Sequence, residues 1–134
     1  MARRFQFATA SLQPLALLSL VLLVPAVGGA HHSWARYDGD NIFVISGTVT
    51  KIEWASPHVF MYFDAVDDAG NVTAWTMELD PPTLLRRYGL RHDSVQVGME
   101  ITITGVRAVS GAPMMRGVTI ELPDGTLHRV SSRV

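Results

Sequence analysis

Residues 72–89 read VTAWTMELDPPTLLRRYG, and their period changes partway along. From Val72 to Leu79 the chain alternates, with Thr73, Trp75, Met77 and Leu79 on one side and Val72, Ala74, Thr76 and Glu78 on the other. That is the two-residue repeat of a strand. Asp80 can cap a helix, and Pro81 suits its first turn. Leu84, Leu85 and Tyr88 then follow helical spacing, and Gly89 supplies a C-terminal stop. This short segment is the one convincing helix expected beyond residue 30.

On its N-terminal side the chain reads as strands. His58 to Val66 sets Val59, Met61 and Phe63 against His58, Phe60, Tyr62 and Asp64, and residues 67–71 (DDAGN) form a hairpin loop. Ile42 to Trp54 is rich in β-branched residues, with a bend expected at Gly47. Ala55-Ser56-Pro57 interrupts the pairing, because proline removes a ladder donor. Residues 31–41 read as an arm or lead-in strand with a turn at Asp38-Gly39. On the C-terminal side, Val95 to Gly98 is a tight turn. Glu100 to Ala108 follows, with Ile101 and Ile103 inward, then Met114 to Leu122, a Pro123-Asp124-Gly125 turn and a closing strand from Thr126 to Val130. Three strands, one short helix and two or three further strands is the order of an OB-like barrel. The expected fold is therefore all-β: a small five- to six-stranded antiparallel OB-like barrel with one short helix between strands 3 and 4. An open sandwich of the same strands is the alternative.

The first thirty residues follow an export pattern. Arg3 and Arg4 are basic, Leu12 to Val24 is largely apolar, and Gly28-Gly29-Ala30 supplies small residues for a signal peptidase. No basic stop-transfer cluster follows, so a signal peptide over residues 1–30 is expected rather than a retained anchor. Cleavage after Ala30 leaves residues 31–134 as a single domain, periplasmic or secreted, with no membrane anchor. It removes two arginines and no acid, so 11 basic and 12 acidic residues become 9 and 12. A net charge of −3 with neutral histidine argues against nucleic-acid partners. The chain has no cysteine. Disulfides, thiol nucleophiles and thiolate ligands are thereby excluded, and any metal must rest on His, carboxylate, Met or backbone groups.

Cleavage after Ala30 makes His31 the first residue. Its α-amine and ring Nδ1 would form a chelating pair, and a second imidazole would complete three nitrogens in a T. Such a histidine brace suits copper, which favours nitrogen in a tetragonal plane. The amine must lose its proton to bind, and its ordinary pKa of about 8 permits that for a strong metal. His58, stiffened by Pro57, is the candidate for the second imidazole. His32 offers a further nitrogen, and Tyr62 an axial or orienting group. A second reading of His58 is structural, with its ring bonded to a loop carbonyl. Cleavage one residue earlier would put a histidine third, another copper-binding arrangement; cleavage after Ala26 would remove both. Glu53, Glu78 and Asp80 form no recognisable acid–base pair, and no serine sits in a nucleophile elbow. His92 and His128 read as surface residues. No catalytic constellation is evident, so the protein is not expected to be an enzyme.

His31-His32-Ser33-Trp34, the stretch from Gly47 to Trp54, and Pro57-His58 resemble a family of short exported bacterial proteins of unknown function. Its members carry a His-His-Ser start and an internal Asn-Pro-His, here Ser56-Pro57-His58. The resemblance continues through Trp75, the Leu84-to-Gly89 helix, Asp93-Ser94, Gly98 and Asp124-Gly125. It implies an exported, mostly β domain and carries no established activity. The brace is also similar, in its ligand set alone, to the copper sites of periplasmic copper carriers and polysaccharide monooxygenases. The function expected first is copper binding as a carrier or buffer. The alternative is a non-enzymatic binding module for a small ligand, a glycan or an envelope protein.

Overall fold

A computed structural model describes residues 34–133. A 3-10 turn, η1 (Trp34–Arg36), leads into β1 (Tyr37–Glu53), followed by β2 (Phe60–Val66), β3 (Val72–Glu78), α1 (Pro82–Arg87), β4 (Glu100–Ala108), β5 (Met114–Glu121) and β6 (Leu127–Arg129). The sheet order is β3-β2-β1-β4-β5-β6, and β3 also pairs in parallel with β5. That last pairing closes five strands into a barrel and leaves β6 as an extra strand on β5. The single short helix lies between β3 and β4, as the sequence order predicts. No helix among the described residues is long and apolar enough to cross a membrane.

β1 makes closure possible by serving two neighbours. Ile42 to Thr48 pairs with β4, and Thr48 to Glu53 pairs with β2. The handover falls at Gly47, where a Cβ would lie 2.6 Å from the Asp64 carbonyl oxygen and 2.6 Å from the Phe63 ring. Only glycine admits that approach. The Asp38-Gly39 turn signal proves to be an outward irregularity within β1: Tyr37 pairs with Ala108 and Ile42 with Val106. Asn41 Nδ2 donates to Asp38 Oδ2 at 2.6 Å inside that kink.

The alternating faces predicted for β2 and β3 are the ones that fill the barrel. Val59, Met61, Phe63, Met77 and Leu79 are buried with Val49, Ile101, Ile103, Met115 and Ile120. Leu85 and Leu90 close one end. The helix stops as expected: Gly89 has φ +86°, its N–H bonds the Arg86 carbonyl, and Leu90 N–H bonds the Leu85 carbonyl at 2.9 Å. This is a Schellman ending with its apolar contact between Leu85 and Leu90. The expected cap does not form. No side chain caps α1, and Pro81 occupies the N-cap position. Asp80 is buried, and its oxygens bond Arg116 and the Ser132 N–H. A charge-assisted pair inside the fold outweighs a solvated cap.

Candidate functional site

Beneath one end of the barrel lies a cluster of charge. Arg116 on β5, Glu78 at the end of β3 and Asp80 just beyond it are 2–3% exposed. Arg116 Nη1 donates to Glu78 Oε1 at 2.9 Å and to the Leu79 carbonyl at 3.1 Å, and Nη2 donates to Asp80 Oδ1. Tyr37 OH donates to the other Glu78 oxygen at 2.8 Å, and Ser132 N–H donates to Asp80 Oδ2 at 2.6 Å. Burial, then the bond to the Glu78 carboxylate, pushes the Tyr37 hydroxyl well above the usual phenol range. Arg116 Nε is buried without a hydrogen-bond partner among the described residues.

His58 stands at the edge of this cluster, its side chain 22% exposed. Its Nδ1 lies 3.1 Å from the Leu79 carbonyl, 3.3 Å from Arg116 Nη1 and 3.5 Å from Glu78 Oε1. Both Nη1 hydrogens have nearer oxygen acceptors. The consistent tautomer therefore carries its proton on Nδ1 and donates to Leu79. The carbonyl bond of the structural reading is thus present. Nε2 has no hydrogen-bond partner among the described residues. A second-sphere carbonyl on one ring nitrogen is how a metal-ligating histidine is normally held.

His58, Trp34, Asp80, Arg116, Ser132 and Arg133 line a shallow cleft of about 200 Å³. Trp34 lies under two cations, with the guanidinium of Arg116 at 5.7 Å and that of Arg133 at 5.9 Å from the ring. The Arg36 carbonyl accepts the Val109 N–H at 2.8 Å, fixing the start of β1 alongside. η1 therefore enters the cleft that His58 lines.

Tyr62 faces elsewhere. Its hydroxyl donates to Glu53 Oε2 at 3.0 Å, with Lys51 Nζ 5.1 Å from the ring centre. The Lys51 ammonium and the Tyr62 hydroxyl hold the Glu53 carboxyl below its ordinary range. Tyr62 does not line the His58 cleft. His31 and His32 lie outside the described residues. Among those that are described, no three His, Asp or Glu side chains assemble as a metal-ligand set. His92 is exposed and His128 half-buried.

A second hollow, about 620 Å³, opens at the lip of β1, β2 and β3, lined by Val44, Val66, Thr73, Trp75 and Arg107 among others. Arg107 lies over Phe43 at 4.3 Å and over Trp75 at 5.2 Å.

The sequence reading missed Tyr37, Glu78, Asp80 and Arg116 as a unit. Glu78 sits on the polar side of an alternating strand, and Arg116 is a lone charge in an apolar one. Nothing local says that β5 lays Arg116 against Glu78, 38 residues away.

Fold and cluster together define a small closed β-barrel with a buried ion network under a histidine-bearing cleft. The chain belongs to a family of unknown function, DUF6152, which it matches over residues 19–116. The matched segment runs from before His31 to Arg116 and so contains His31, His58, Glu78 and Asp80. No curated protein matches the chain.

Proposed function

We propose that the protein is exported, is cleaved after Ala30, and binds copper at the His58 cleft. The ligands are the His31 α-amine, the His31 ring and His58 Nε2, with His32 as a supplementary nitrogen. The observation that carries this reading is the contact of His58 Nδ1 with the Leu79 carbonyl at 3.1 Å, in the cleft that Trp34 also lines; it leaves Nε2 as the ring nitrogen for a ligand. Trp34, three positions after His31, lines the same cleft as His58. Bound copper would supply a strong nitrogen-preferring centre. The chain's own residues hold and orient it, consistent with a carrier or buffer rather than an enzyme.

The test begins with mass spectrometry of the exported protein, expected to start at His31. Mature protein titrated with Cu(II) should give a paramagnetic resonance spectrum of a tetragonal nitrogen site. His58→Ala, and separately one extra N-terminal residue, should each weaken binding by well over the roughly tenfold that loss of an outer contact costs. Affinity should rise as pH passes about 8, where an ordinary α-amine loses its proton. Wild-type affinity in both altered proteins sinks the reading. One observation favours the binding-module alternative, namely the β1–β2–β3 hollow, which Trp75 and Arg107 line, with the Arg107 guanidinium over the Trp75 ring. Copper-independent glycan binding that Trp75→Ala abolishes and His58→Ala spares would support it.

A further inference from the structure

We infer that the parting of β1 and β2 at the barrel mouth accepts an extended peptide segment of another protein, added as a strand along Ile42 to Ser46. The inference is independent of the copper reading, uses no residue of the His58 cleft, and names the occupant of the β1–β2–β3 hollow. β1 and β2 pair from Glu53 with Phe60 to Thr48 with Asp64. The next pair in that register, Ser46 with Val66, is not made. The peptide groups of successive strand residues point to opposite edges. Val49 N–H bonds the Met99 carbonyl and Gly98 N–H the Val49 carbonyl, so Val49 faces β4. The β1–β4 register is unbroken from Ile42 to Thr48. Gly47, Ile45 and Phe43 therefore turn their peptide groups to β4, while Ser46, Val44 and Ile42 turn theirs to the parting. The Ser46 and Thr102 hydroxyls, 2.9 Å apart, show the close side-chain approach of a pair without mutual backbone bonds. On the other side, Asp67 N–H bonds the Asn71 carbonyl across the hairpin, so Val66, one residue earlier, faces β1. Backbone donors and acceptors thus flank an opening of about 620 Å³, with no strand between them among those described.

An unpaired edge invites a strand, and proteins commonly blunt one with lysine or proline. Ile42-Phe43-Val44-Ile45-Ser46 carries neither. Val44 and Val66, on either side of the opening, are 64% and 63% exposed, so its outer collar is apolar. A peptide meets such an opening with its own N–H and C=O groups at strand spacing. A sugar has no such repeat, and Trp75 offers little ring for one to stack on. Trp75 is buried, with Phe63 stacked beside it and Arg107 over it. The inner wall sets the side-chain chemistry. Arg107 is exposed, lines the hollow and takes part in none of the described salt bridges. Asp67 and Asp68 line the hairpin end, and the Asp67 oxygens already accept bonds from Asn71 and Ala69. A strand in the opening alternates its side chains between the two faces. One set passes Val44 and Val66 outside, and the other enters the mouth toward Arg107 and Asp68. The partner segment is therefore apolar at alternate residues, with an acid between them for Arg107 and a flanking base for Asp68.

The test uses the mature chain, isotope-labelled and followed amide by amide by NMR, with the end-blocked peptide Lys-Val-Glu-Val-Lys as probe. Its valines match the outer collar and its charged residues the inner wall. The peptide should shift the Val44, Ser46 and Val66 amide signals saturably and leave those around the His58 cleft in place. The same peptide with every amide nitrogen methylated keeps its side chains, lacks donors, and should move nothing. Val44→Pro removes a donor of the open edge and should abolish the shifts at Ser46 and Val66. Where that variant does not fold, the methylated peptide decides alone. Arg107→Gln should weaken binding by up to about fivefold, the worth of an exposed ion pair. Copper affinity should be unchanged in Arg107→Gln, so this inference and the copper reading fail separately. Equal shifts from the methylated peptide, or none from either peptide, would overturn the inference. Saturable shifts at the same amides from chitotetraose alone would make the hollow a sugar site instead. Concentration-dependent broadening of those amides without peptide would put a second copy of the chain there, which also overturns it.

Discussion

Arg116 pairs with two carboxylates that are themselves out of water. Taking three charges from solvent is expensive, and their mutual attraction repays it only where the remaining lone pairs and hydrogens are met. Here the Tyr37 hydroxyl and the Ser132 N–H meet the outer carboxylate oxygens, while Arg116 Nε alone has no partner among the described residues. Arg116→Met removes the guanidinium bonded to Glu78 Oε1 and Asp80 Oδ1, taking a charged partner from each buried carboxylate. The expected loss is about 3–5 kcal/mol, read from urea unfolding. Arg107→Met, which removes an exposed cation over Phe43 and Trp75, should cost under about 1 kcal/mol. A similar loss for the two would mean that the buried network does not hold the barrel. Tyr37 gives the same network a pH signature. Its hydroxyl is held protonated in the folded state to higher pH than in the unfolded chain. Stability from this group is therefore full below about pH 10 and declines as pH rises above it, because only the unfolded chain releases the proton there. Tyr37→Phe should flatten the alkaline limb of a stability–pH profile; an unchanged limb would assign it to other groups.

The elements that the sequence displays most openly are those whose signals are local. The helix end is one: Gly89 at φ +86° accommodates the turn that lets Gly89 and Leu90 N–H reach the Arg86 and Leu85 carbonyls. A Cβ there would meet nothing nearer than His128 Nδ1 at 3.9 Å. The penalty of Gly89→Ala is thus conformational alone, about 1–2 kcal/mol by thermal or urea unfolding. A loss of 3 kcal/mol or more would point to a packing role. The β2–β3 hairpin is another. Asp67 Oδ2 accepts the Asn71 side-chain amide at 2.9 Å, and Oδ1 accepts the Asn71 and Ala69 N–H groups at 2.8 and 3.0 Å. These bonds, the Asn71 amide first, hold the Asp67 carboxyl below its ordinary range. The unfolded chain consequently takes up this proton at higher pH than the folded one. The hairpin's contribution is present above about pH 4 and fades as pH falls through the lower folded value. Asp67→Asn should shallow the acid limb, as followed by unfolding between pH 5 and 2. An identical limb in the variant would move that sensitivity to Asp124, whose carboxyl is also lowered, by bonds from Thr126.

Across the whole molecule, what was legible and what was not divide by sequence distance. Alternation in residues 58–66 and 72–79 showed which side chains fill the barrel, because a strand's two faces are written in consecutive residues. The helix between strands 3 and 4 was legible for the same reason. The fate of Asp80 was not, since a helix cap and a buried partner for Arg116 look alike until β5 is laid beside β3. His58 was legible as a candidate through Pro57, but the Leu79 carbonyl that its Nδ1 contacts lies 21 residues on. The convergence of η1 with the C-terminal segment is the least local feature of all. Trp34 on η1 and Ser132 and Arg133 after β6 line the same cleft, and Ser131 is fully buried. The tail therefore belongs to the network beneath the cleft. Ending the chain after Val130 removes the Ser132 N–H from Asp80 and Arg133 from Trp34. A buried carboxylate deprived of a donor costs about 1–3 kcal/mol. If that carboxylate is the reason, the same truncation made in an Asp80→Asn background should cost clearly less, since the group that suffers has lost its charge. Urea unfolding of the four proteins gives the coupling directly. Equal losses in both backgrounds would show the tail acting on the barrel independently of Asp80.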